Sequence, residues 1–151
     1  MRFWPLFLGL SLLAACGDKS SISLSAVIAE PMLSVQDGAA GSTLSGNFQL
    51  VLTLGSEASG STRVTLGNFS LQTEAGAPLV DVLKVQSNPE FPLDIAKGQT
   101  QTVSFSFDEN SVDRDALCAG RVRIVGSVLD SLKGGTDPLR SDLTTPDCGA
   151  T

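Results

Sequence analysis

Thr102-Val103-Ser104-Phe105-Ser106-Phe107-Asp108 alternates polar and apolar side chains without a break. In an extended chain successive side chains point to opposite faces, so Val103, Phe105 and Phe107 share one face and the hydroxyls the other. That is the pattern of a half-buried β-strand. Phe48, Leu50, Leu52 and Leu54 repeat it against Asn47, Gln49 and Thr53, with Val51 an extra apolar residue on the second face. Ile22, Leu24, Ala26 and Ile28 alternate with Ser21, Ser23, Ser25 and Val27. Val122, Ile124, Gly126 and Val128 do so near the C-terminal end, where Val125 points to partial burial of the other face.

Turn signals separate these segments: Asp37-Gly38, Ser59-Gly60-Ser61, Glu74-Ala75-Gly76, Ser87-Asn88-Pro89, Lys97-Gly98 and Lys133-Gly134-Gly135-Thr136-Asp137-Pro138. They divide the chain into about seven to eight strands, over roughly 21–29, 44–55, 62–73, 79–85, 91–95, 100–108, 120–130 and 139–144. The fold class predicted is all-β, a single antiparallel β-sandwich. At most one helical turn, Asp113 to Leu117, is expected within it.

The first 15 residues differ in kind. Arg2 precedes an apolar run from Phe3 to Leu13, interrupted by Pro5, Gly9 and Ser11. This is the shape of a short helical signal peptide, and it falls short of the roughly 20 apolar residues of a membrane-crossing helix. It ends in Leu13-Ala14-Ala15-Cys16, which resembles the lipobox of bacterial lipoproteins. The resemblance implies cleavage before Cys16 and acylation of its thiol. Several acyl chains hold a protein firmly on a bilayer, each buried methylene contributing about 0.8 kcal/mol. Gly17 stands after the anchor where Asp marks inner-membrane retention in enterobacteria, so the resemblance implies the outer membrane. Residues 1–15 are then the leader, 16–21 the lipidated Cys and a flexible tether, and 22–151 the sandwich domain.

Composition limits the chemistry. The 151 residues include no histidine, no tyrosine, one tryptophan and three cysteines. Imidazole bases, His-containing zinc sites and Cys-His or Ser-His-Asp nucleophiles are therefore excluded. Removing the leader takes Arg2 and Trp4, leaving 9 basic and 16 acidic groups, a net of −7, and five phenylalanines as the aromatics. An acidic domain repels phosphate backbones, which argues against nucleic-acid binding. Without Trp or Tyr it lacks the usual stacking platform for sugars. Assigning Cys16 to lipid leaves Cys118 and Cys148 as a pair in an oxidising compartment, and a disulfide between them is expected.

The alternating strands, with Pro92-Leu93-Asp94-Ile95-Ala96-Lys97-Gly98-Gln99-Thr100 leading into the Phe strand, are similar to immunoglobulin-like and fibronectin type III-like domains of secreted bacterial proteins. A second likeness is to the water-stress and hypersensitive-response domain. That family carries Asn-Pro-Asn after its second strand, where this chain has Gly55-Ser56-Glu57.

One polar cluster has the composition of a ligand site. Asp108, Asn110, Asp113 and Asp115, in the run from Asp108 to Asp115, could supply oxygens to calcium. The spacing matches no EF-hand, and charge runs commonly mark exposed segments, so a solvated loop between strands is the expectation and no metal or cofactor is assigned. Catalytic residues are likewise not assigned. The function these features imply is a non-catalytic binding or structural module of the cell envelope, held to the membrane by lipid and meeting a protein partner through an exposed strand edge. A small-ligand carrier with a cavity between the sheets, or an enzyme subunit working with carboxylates and hydroxyls, remains as the alternative.

Overall fold

The computed structural model describes residues 22–149. The expected leader, Cys16 and the expected tether lie outside them, and with them the expected signal helix. Ten strands and one short helix follow in the order β1 (Leu24–Gly38), β2 (Gly41–Leu54), β3 (Thr62–Leu66), β4 (Phe69–Thr73), β5 (Pro78–Leu83), β6 (Gln86–Asn88), β7 (Leu93–Ile95), β8 (Thr100–Val112), α1 (Arg114–Cys118), β9 (Val122–Asp130) and β10 (Gly135–Arg140). They form two antiparallel sheets, one ordered β1-β2-β8-β6 and one linked β5-β4-β9-β3-β7, with β10 also paired to β9. The described residues are thus almost wholly β, and the two sheets pack as a sandwich.

The strand count exceeds the expected seven to eight for local reasons. The segment read as one strand over 62–73 is two, because pairing with β9 slips by one residue between Leu66↔Val128 and Ser70↔Val125. The slip falls at Asn68 and Phe69, just after Gly67, whose N–H still donates to the Ser127 carbonyl at 2.8 Å; a Cβ at Gly67 would stand 2.1 Å from Ser127 Oγ and would make that hydroxyl turn aside. The turn expected at Ser87-Asn88-Pro89 instead contributes β6, which pairs with the middle of β8.

Strand β1 runs nine residues past the predicted end at Ala29. A bulge at Glu30-Pro31 shifts its register on β2 between Ala29 and Met32, and Glu30 takes φ 51°. The last strand begins at Gly135, four residues before the predicted start. Pro138 is tolerated in it because Pro138 sits opposite Ser127, and Ser127 turns its backbone carbonyl to Gly67 on the other side of β9.

Alternation positions the core as expected. Phe48, Leu50, Leu52 and Leu54 are buried, as are Val103, Phe105, Phe107, Val122, Ile124 and Val128. Ile22, expected on the buried face of the first strand, is instead 75% exposed, because β1 begins two residues later. Phe48 lies directly opposite Phe105 in the register, and their rings stack at 4.7 Å between centroids. Phe69 reaches both from the other sheet, at 5.3 and 5.6 Å. Phe107 and Phe91 complete the cluster at 6.5 Å from Phe48 and 6.0 Å from Phe105. Every aromatic side chain among the described residues thus belongs to one group that fills the space between the sheets.

The second register shift of the four-stranded sheet falls at Ser111, which is looped out between Thr43↔Asn110 and Ser42↔Val112 with φ 59°. A non-glycine residue in this left-handed region costs about 1–2 kcal/mol, against about 0.5–1 kcal/mol of extra chain entropy for glycine. Ser111→Gly is therefore expected to raise stability by about 0.5 kcal/mol, read from the midpoint of urea unfolding at unchanged slope. A lower midpoint would show that the Ser111 side chain holds the bulge.

Candidate interaction surfaces

Cys16, the expected anchor, lies outside the described residues, so the geometry begins with the other two cysteines. Cys118 ends α1 and Cys148 lies in the C-terminal tail; they form a disulfide with Cα atoms 6.1 Å apart. The tail is more than a linker to that bond. Leaving β10, it stays beside β9, where Ser141 N–H donates to the Ile124 carbonyl and Thr144 exchanges two backbone bonds with Val122. It then crosses to the other sheet, where Val35 N–H donates to the Asp147 carbonyl and Asp147 N–H to the Leu33 carbonyl, each at 2.8 Å. One short segment therefore ties the edge of β1 to the edge of β9 and closes one side of the sandwich.

Arg114 reinforces this strap. Its side chain is only 18% exposed, and its guanidinium donates to Asp37 at the end of β1 and to the Cys148 carbonyl. Asp113, one of the calcium candidates, caps α1 by accepting from Ala116 N–H at 3.1 Å.

The four calcium candidates do not converge. The run from Asp108 is not a loop, since β8 continues to Val112. Asp108 and Asn110 stand on the outer face of the strand, Asp113 is engaged as the helix cap, and Asp115 is exposed in the first helical turn. Among the described residues no group of three His, Cys, Asp or Glu side chains is placed to hold a metal ion.

Glu109, inside the same run, is hidden in the sequence by the charge around it. Two residues beyond Phe107 it faces inward and is 7% exposed. Its carboxylate accepts from Lys84 N–H at 2.7 Å and meets Lys84 Nζ at 3.7 Å, fastening the β5–β6 connection to β8. The other buried acid, Asp130, is 2% exposed and accepts from Thr62 Oγ1 and from Leu132 N–H at 2.9 Å. Both buried carboxylates are thus committed to backbone and side-chain donors that hold connections in place.

Among the described residues, two surfaces are shaped to receive a partner. The first is a groove of about 510 Å³ on the outer face of the four-stranded sheet, walled on one side by the tail. Hydroxyls of Ser34, Ser45, Ser106 and Thr144 and the amide of Asn47 line it, with Asp108 and Asp147 at its acidic points and Met32, 62% exposed, as its apolar patch. It can hydrogen-bond a polar ligand but offers no thiol or imidazole. The second is the outer edge of β1. In the pairing of β1 with β2, Gly55 N–H bonds the Ser23 carbonyl and Leu54 N–H turns to the carbonyl of Gln99, just before β8, so the backbone groups of Leu24, Ala26 and Ile28 face away from β2. The strap covers Leu33 and Val35 but not these three.

No protein-family model, curated protein or solved structure compared with the chain matches it.

Proposed function

We propose that the chain is a lipid-anchored, non-catalytic binding module of a bacterial envelope, carried on the outer membrane by acylated Cys16. The observation that carries this reading is the short apolar leader ending in Leu13-Ala14-Ala15-Cys16, set directly before a polar tether and a β-sandwich. Two sheets between which the chain crosses repeatedly support an immunoglobulin-like assignment of that sandwich. The outward backbone groups of Leu24, Ala26 and Ile28 support a protein partner that adds a strand to β1. They follow closely on the proposed tether in sequence, so a partner engaged there would sit near the membrane.

The alternatives draw less support. A carrier needs space between its sheets, and the five phenylalanines occupy it. A carboxylate-based enzyme needs two acids free to act on a substrate, and the two buried ones hold connections together.

Intact-mass measurement on protein purified from envelopes tests the anchor. The expected species begins at Cys16 and is heavier than its sequence by the added acyl groups. A mature chain with unmodified Cys16 would overturn the reading.

A further inference from the structure

Ile22 and Leu132 are large apolar side chains exposed at one end of the sandwich, by 75% and 40%, and both line a hollow of about 600 Å³. That end is built where Leu24 opens β1 opposite Leu54, where Gly98 N–H in the β7–β8 turn bonds the Leu54 carbonyl, and where β9 turns into β10. Leu129, 42% exposed, lines a second hollow around the corner, and Asp130 borders both. Single apolar side chains on a surface are ordinary, but three gathered at one end mark a contact surface.

What covers them follows from where the chain enters, given acylation of Cys16, on which this inference rests. Ile22 is six residues from Cys16. Six residues span at most about 20 Å fully extended. The 13 residues of β8 run away from this end, a length of about 40 Å. With Cys16 held in a bilayer, the Ile22 end stays close to the lipid surface however the domain leans.

Charge decides how it leans. At the Ile22 end Arg63 and Lys133 are each paired with an acid, Asp94 and Asp137, Asp130 is buried, and the exposed Lys97 offsets Glu57. The remaining described residues hold 11 acidic groups against 5 basic ones. A leaflet containing anionic lipid has a negative surface potential. It repels the acidic remainder, and screening over about 8 Å lets the nearly neutral end approach.

We infer that this end of the sandwich rests on the bilayer that holds the anchor, with Ile22 and Leu132 entering the boundary between headgroups and acyl chains. Lys97, exposed at the same end, meets lipid phosphates there. The two apolar side chains act together with the anchor, which keeps them at high local concentration beside the lipid. The outer edge of β1 then rises from the membrane, and the groove beside the strap stands away from it.

Loss of Trp4 with the leader leaves the mature chain without tryptophan, so one introduced by substitution reports alone. Lipidated protein carrying Leu132→Trp, Ile22→Trp or Met32→Trp is reconstituted in vesicles of phosphatidylethanolamine and phosphatidylglycerol, with and without brominated acyl chains. Flotation of the wild-type protein with the vesicles checks the anchor. Brominated lipid is expected to quench Leu132→Trp and Ile22→Trp at least about two-fold more than Met32→Trp, which lies in the groove. All three replace exposed side chains, and Ile22→Trp reports on the same end if Leu132→Trp folds poorly. Protein that does not float would remove the anchor and the inference with it. Protein that floats but is quenched no more at positions 22 and 132 than at position 32 would leave the anchor standing and overturn the inference. So would blue-shifted emission from position 132 that is indifferent to brominated lipid, the mark of a second copy covering the patch.

Discussion

Phe48→Ala is expected to destabilise the protein by about 3–5 kcal/mol. Phe48 is 1% exposed and touches the rings of Phe105, Phe107 and Phe69, so its removal leaves a void at the one place where both sheets meet through aromatic contact. The surrounding strands cannot collapse into that void easily. Phe107 already lies against Gly46, where a Cβ would come within 2.4 Å of its ring, and Phe69 lies equally close over Gly126. With a typical stability of 5–15 kcal/mol, the variant loses a large part of its folding free energy. Urea unfolding of the purified variant measures it. A loss below about 1 kcal/mol would mean that the cluster repacks and that the glycine contacts are not rigid.

Removing the disulfide by the double substitution Cys118→Ala and Cys148→Ala is expected to cost about 3.5 kcal/mol, the loop-closure entropy of a cross-link spanning about 30 residues. The Tm should fall by roughly 10–15 °C. The effect has a location as well as a size. Cys148 follows Asp147, whose backbone bonds to Leu33 and Val35 hold the strap to β1, so amide exchange should quicken first at Val35 and Asp147 and last in β2 and β8. Uniform loss of protection would contradict the strap as a separate unit. Arg114 limits the damage, because its bonds to Asp37 and to the residue 148 carbonyl survive the substitution.

The disulfide is legible in the sequence, since assigning Cys16 to lipid leaves two thiols and one pairing. The strap is not. Nothing in Thr144-Thr145-Pro146-Asp147 alternates, and its pairing with two strands of different sheets depends on where β10 releases the chain. Glu109 is legible in principle. Carrying the alternation of Val103, Phe105 and Phe107 one step further puts it inside, but the neighbouring acids give the run the look of a loop. Ile22 and Leu132 are 110 residues apart and carry no mutual signal in the sequence. Only the turn of β9 into β10 beside the start of β1 brings them to one hollow.

From the sequence alone come the strands, their inward faces, most of the turns, the cysteine pair and the chemistries excluded. These are local properties, because a strand's two-residue period and a turn's demand for glycine or proline are written in adjacent residues. The tertiary structure decided which strands are neighbours, where glycine leaves room for an aromatic ring, how the tail bridges the sheets and which apolar side chains gather at one end. Backbone hydrogen-bonding groups are alike in every strand, so pairing is settled by packing across the whole chain, and any surface feature built from two strands is settled with it.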